Sequence, residues 1–76
     1  MERIKKITVG PDIKDGMHYR VDQEISNKEN KIVDIKRTEP RTYQIWVRST
    51  DGSQEVKLWR EFEHMPVSVE YNLDYA

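Results

Sequence analysis

Asp51-Gly52, set between the alternating stretches Tyr43–Thr50 and Ser53–Arg60, narrows most what this chain can fold into. Such a pair between two alternating runs marks a two-residue β-hairpin, because a type I′ turn needs positive φ at both central positions. Pairing Thr50 with Ser53 then sets the register. Ile45 faces Leu58 and Val47 faces Val56 on one side. On the other, Trp46 meets Lys57, Arg48 meets Glu55, and Trp59 stands diagonal to Trp46. This parity predicts both indoles on the face turned away from the aliphatic interior; the competing expectation is a curled sheet with both indoles in the core.

The remaining segments also read as strands. Arg3–Val9 is β-prone, and Gly10-Pro11-Asp12 and Asp15-Gly16 bracket a loop. Across Met17–Ile25, Met17, Tyr19, Val21 and Ile25 share one side. Ser26–Asn30 is a polar turn. Lys31–Arg37 presents Val33 and Ile35 inward and Ile32 outward, with Ile35 opposite Ile45, and Thr38–Arg41 breaks the strand at proline. Val67–Tyr75 alternates over nine residues, with Val67, Val69, Tyr71, Leu73 and Tyr75 on one face; a helix would scatter these five around its axis. Tyr19, Tyr43 and Tyr71 share the inner parity. Five or six short strands about a dozen residues apart predict an all-β sandwich or barrel, with one 3₁₀ turn allowed near residues 62–66.

Seventy-six residues predict a single domain, 1–76, with a thin core, since a chain of this size buries only roughly 60% of its unfolded surface. Cysteine is absent, which excludes disulfides and favours a reducing, cytoplasmic setting. The opening Met1–Ile7 is too short and charged for a signal peptide, and no apolar run has spanning length, so no membrane partner is expected. The net charge of −1 conceals +3 over residues 1–48 and −4 over residues 49–76. That asymmetry gives the fold a polar dipole or favours head-to-tail association.

Taken together, the strand at Tyr19–Ile25, the meander Lys31–Arg37, Tyr43–Ser49 and Glu55–Arg60, the turn at Glu63–Pro66 and the closing strand Val67–Leu73 resemble a small SH3-like barrel. The resemblance covers about residues 17–73 and is one of layout. The acidic loop and adjacent tryptophan pair of peptide-binding SH3 domains are absent, so polyproline recognition is not implied. Asp51-Gly52 followed by a strand carrying Lys57 and Trp59 is also similar to Tudor and KOW-type barrels. In style, the short, charge-rich chain resembles the small accessory proteins of T4-like tailed phages, which would imply a protein acting in the host cytoplasm.

Catalytic patterns are missing. His18 and His64 are the only histidines and lie far apart, so no metal site is expected. No serine stands in a Gly-x-Ser-x-Gly elbow, and Gly10, Gly16 and Gly52 are isolated turn residues rather than a phosphate-binding loop. Glu61 and Glu63 share a strand face and read as a solvated edge. The chain is therefore expected to be no enzyme and to need no cofactor. Trp46, Trp59, Arg48, Lys57 and Arg60 form the expected partner-binding set, since tryptophan beside arginine suits protein-interface hot spots. The expected role is a small binding module, in the phage reading one that blocks or redirects a host protein. The alternative is a nucleic-acid binder that stacks bases on the same indoles and contacts phosphates through Lys36, Arg37, Arg41 and Arg48. A third reading is a homodimer through Val67–Tyr75 or the tryptophan face.

Overall fold

The computed structural model describes residues 2–39 and 41–73. Seven strands follow in order: β1 (Glu2–Val9), β2 (Met17–Arg20), β3 (Glu24–Ile25), β4 (Asn30–Glu39), β5 (Thr42–Ser49), β6 (Lys57–Glu63) and β7 (Val67–Leu73). They form two antiparallel sheets, β2-β1-β7 and β3-β4-β5-β6, one of them curled into a half-barrel. The all-β class follows from the alternation read in the sequence.

A corner at Arg20–Gln23 joins the sheets. Val21 N–H donates to Lys5 O (2.9 Å), after which Asp22 N–H donates to Ile32 O (2.7 Å) and Ile32 N–H to Gln23 O (2.9 Å). One continuous segment thus leaves β1 and joins β4, turning at Asp22 with φ of 76°. Ile7, Val9, Tyr19, Ile32, Ile35, Tyr43, Ile45, Val47 and Phe62 make up the buried core. Ile4, Val21, Ile25, Trp59, Val67 and Val69 pack against it half-buried.

Four bulges decide which side chains enter that core. In β4, Ile32 pairs with Val47 and Asp34 with Trp46, leaving Val33 as the extra residue. Ile32 is therefore buried and Val33 only half-buried, the reverse of the expected parity, while Ile35 opposite Ile45 stands as expected. Further shifts fall at Lys5 in β1, at Thr38 in β4 and at Trp59 in β6. An inserted residue exchanges the two faces beyond it, since side chains alternate with a period of two.

The ribbon of β5 and β6 is antiparallel, but its turn is not the expected one. Gly52 N–H donates to Ser49 O at 3.0 Å, so the turn is centred on Thr50-Asp51 rather than Asp51-Gly52. The Asp51 carboxylate accepts from Ser53 N–H (2.9 Å), and Ser49 Oγ accepts from Gln54 N–H (2.9 Å). Only Gly52 takes positive φ in this turn, at 77°. A type I′ turn would need it at Asp51 too, where local side-chain bonding instead favours an Asx turn. The connection lengthens to Thr50–Val56, and Trp46 pairs with Leu58 rather than Lys57. Val56 and Leu58, expected inside, are 48% and 42% exposed.

Other expectations shift as well. Tyr71 shares the inner parity of β7 and sits opposite Ile4, yet is 44% exposed. Met17 is equally exposed. No 3₁₀ turn forms near residues 62–66: β6 runs through Glu63, and His64, at φ of 56°, makes the reversal while its N–H donates to Arg41 O (2.9 Å). The closing strand β7 pairs with β1, which the sequence layout had left outside the barrel. Tyr75 lies outside the described residues. Among those described, no helix is long and apolar enough to cross a membrane.

Candidate functional site

The longer β5–β6 connection separates the two indoles: with Trp46 opposite Leu58 rather than Lys57, Trp59 falls on the other face. Trp46 stays on the outer face of the four-stranded sheet, in a cross-strand row with Asp34 and Leu58. Its Nε1–H donates to Gln44 Oε1 (3.2 Å), and Gln44 Nε2–H donates to Glu61 Oε2 (2.7 Å). Lys36 Nζ lies 5.0 Å from the indole centroid and 4.0 Å from Asp34 Oδ2. The indole is thus held in one orientation by its neighbours, with Leu58 exposed beside it.

Trp59 instead packs toward the core. It meets Tyr19 edge-on, with centroids 5.9 Å apart, and Tyr19 meets Phe62 at 5.5 Å. Arg60 pairs opposite Ile45. Its guanidinium lies 4.5 Å from the Trp59 ring centroid, and Nη1–H donates to Tyr19 Oη at 3.4 Å. Tyr19 Oη–H in turn points to Met17 Sδ (3.6 Å). Tyr19 on β2 and Trp59 and Phe62 on β6 thereby bridge the two sheets where their backbones do not meet. Trp59 is thus half-buried against the core, and the exposed Arg60 lies over its ring.

The remaining expected contacts lie elsewhere. Arg48 pairs opposite Lys31, and its Nη2–H donates to Gly52 O (3.4 Å). Lys57 pairs opposite Val47 and lines a depression between the Lys28–Asn30 and Ser49–Gln54 segments. Arg41 is exposed in the β4–β5 turn, and the Arg37 guanidinium lies 6.0 Å from the Tyr43 ring. The five residues of the expected partner-binding set therefore do not form one patch: Trp46 and Arg48 share a face, and Trp59 and Arg60 belong to the other side.

Sequence reading missed Leu58 and Val56 as surface residues, because the Asp-Gly pair signals a shorter turn than the one Asp51 and Ser49 side-chain bonding forms. It also missed a second feature. Three adjoining depressions, each lined in part by Val33, form a groove along β4 that reaches Arg3 and Lys5 of β1 and Arg20 of β2. These three cations are distant in sequence from β4 and come together only through the corner at Arg20–Gln23.

Among the described residues, no group of three His, Asp or Glu side chains is arranged to hold a metal ion. Ser53, through its hydroxyl and its backbone N–H, and then Ser49 hold the Asp51 carboxyl below its ordinary value of 3.8. That is turn chemistry at an exposed loop. No protein-family model, curated protein or solved structure matches the chain. The likenesses to SH3-like barrels and to small phage proteins thus rest on layout and style alone.

Proposed function

We propose that this chain is a non-catalytic protein-binding module whose contact surface is the outer face of the β5–β6 ribbon around Trp46. The observation that carries this reading is the Trp46–Leu58 cross-strand pair, an aromatic anchor beside an exposed aliphatic side chain on a sheet face. Lys36, Asp34, Gln44 and Glu61 form a polar rim around it. Interface hot spots have this composition, with a large aromatic centre surrounded by groups that exclude water. The hydrogen bond to Gln44 and the cation over the ring fix the indole before contact, which lowers the entropy cost of docking. β6 is also an edge strand, so backbone groups beside the patch are open to a partner. Base stacking on Trp46 is less favoured, because Lys36 already covers the ring. A phage factor that occludes a host protein is one form such a module takes.

The test is binding to a partner isolated from bacterial lysate on the immobilised chain. Trp46→Ala is expected to weaken that partner by about 2 kcal/mol or more, roughly 30-fold. Leu58→Asp is expected to abolish capture while leaving the circular dichroism spectrum unchanged. Trp59→Ala should instead lower stability, by about 3 kcal/mol for a large aromatic packed on the core. A partner retained at full affinity by folded Trp46→Ala and Leu58→Asp proteins would exclude this face.

A further inference from the structure

A groove rich in arginine and lysine borders the Trp46–Leu58 patch and shares Asp34 and Lys36 with its polar rim. It follows β4 from Lys31 to Arg37, roughly 20 Å at about 3.3 Å per residue, and widens toward β1 and the sheet corner. Its lining carries seven Lys and Arg against three aspartates, in a chain whose net charge is −1. The half-buried Ile4, Val21 and Val33 give it an apolar floor. Its two aspartates beside Val33 are each paired to a lysine at 4.0 Å, Asp22 with Lys31 and Asp34 with Lys36. Arg3, Arg20 and Arg48 have no carboxylate within ion-pair distance among the described residues. Among the described residues, three guanidiniums thus line the groove without an ion-pair partner.

We infer that this groove binds the sugar–phosphate backbone of single-stranded nucleic acid, with Arg3, Arg20 and Arg48 as the phosphate contacts. Guanidinium forks match phosphate oxygens in pairs and lose little on leaving water, which favours arginine over lysine in this role. The groove spans several nucleotides. Asp22 and Asp34 stand within it as acceptors that exocyclic amino groups of bases can satisfy. An acidic peptide meets those carboxylates only through main-chain N–H groups. This inference does not depend on the protein-binding reading: the two share Asp34 and Lys36, but the phosphate contacts are Arg3, Arg20 and Arg48 rather than Trp46 and Leu58.

The experiment measures fluorescence anisotropy of a labelled ten-nucleotide oligodeoxycytidylate, whose bases carry exocyclic amino groups, with the full chain at 50 mM salt. Polyglutamate and a ten-base-pair duplex serve as competitors. Binding is expected, weakening roughly 20- to 50-fold by 200 mM salt if three or four phosphates are neutralised. Arg20→Glu and Arg3→Glu, both at exposed positions, should each weaken it tenfold or more and flatten the salt slope. Lys14→Glu makes the same charge change in the loop outside the groove and should alter affinity less than twofold. No oligonucleotide binding, stronger competition by polyglutamate or by duplex, or equal losses from Arg20→Glu and Lys14→Glu would each overturn the assignment. Loss of partner capture by Leu58→Asp with oligonucleotide binding intact keeps the two readings separate.

Discussion

Single residues decide where the chain departs from its most persuasive local signal. Asp51-Gly52 suggests a tight hairpin, yet the Asp51 carboxylate does more by accepting from Ser53 N–H than by yielding its backbone to positive φ. The same hydrogen bonds depress the Asp51 pKa below 3.8, the interactions with Ser53 ranking first. A carboxyl with a lowered folded pKa stabilises the native state above its unfolded pKa, and that contribution is lost as pH falls through the folded value. The window therefore lies below about pH 3.8. A carboxyl-carbon NMR titration should place the Asp51 midpoint below that of an unstructured aspartate. In Ser53→Ala the midpoint should move back up, since the hydroxyl is removed. A wild-type midpoint at or above the ordinary value would contradict the observed turn.

At the scale of elements, the β3–β4 connection is the most strained part of the fold. Ser26, Asn27 and Lys28 take φ values of 54°, 56° and 69° in succession. Left-handed backbone costs L-residues roughly 1–2 kcal/mol each, and asparagine tolerates it best. The run is held from outside by Thr50, whose Oγ1–H donates to Lys28 O (2.6 Å) and whose N–H donates to Glu29 O (2.9 Å). Lys28→Gly is expected to raise stability by about 0.5–1 kcal/mol, the relieved strain exceeding the entropy that glycine adds to the unfolded chain. Urea denaturation reads this directly, and a decrease would argue against the left-handed conformation. Strand existence was legible in the sequence, because Arg3–Val9, Lys31–Arg37, Tyr43–Ser49 and Val67–Leu73 all alternate or favour β structure. Facing was less legible. The bulges at Lys5, Val33 and Trp59 depend on how two sheets share one core, and nothing in those residue types announces an inserted position. Ile32 therefore changed sides relative to the sequence expectation, while the longer β5–β6 turn carried Leu58 outward and Trp59 onto the core. Trp46 stands on β5, which carries no inserted residue, and kept the outer face that parity gave it.

The whole molecule is two sheets joined at one corner and tied by aromatic side chains that cross between them. Tyr19, Trp59 and Phe62 make that tie, while Trp46 remains outside with Leu58, and the groove along β4 gathers cations from both sheets. Surface roles are thus divided: an apolar patch on one face, a guanidinium-lined channel beside it, and an indole committed to the interior. The candidate patch was partly visible in the sequence through Trp46. The groove was not, because Arg3 and Arg20 reach β4 only after the corner forms. All of this depends on the two indoles lying on opposite sides of the β5–β6 ribbon. A two-dimensional NOESY spectrum of the folded chain measures that arrangement most directly. Cross-peaks from the Trp59 ring to the Tyr19 ring, together with contacts from the Trp46 ring to Leu58 and Lys36, are the expected result. Cross-peaks between the two indole rings, with none from Trp59 to Tyr19, would contradict it.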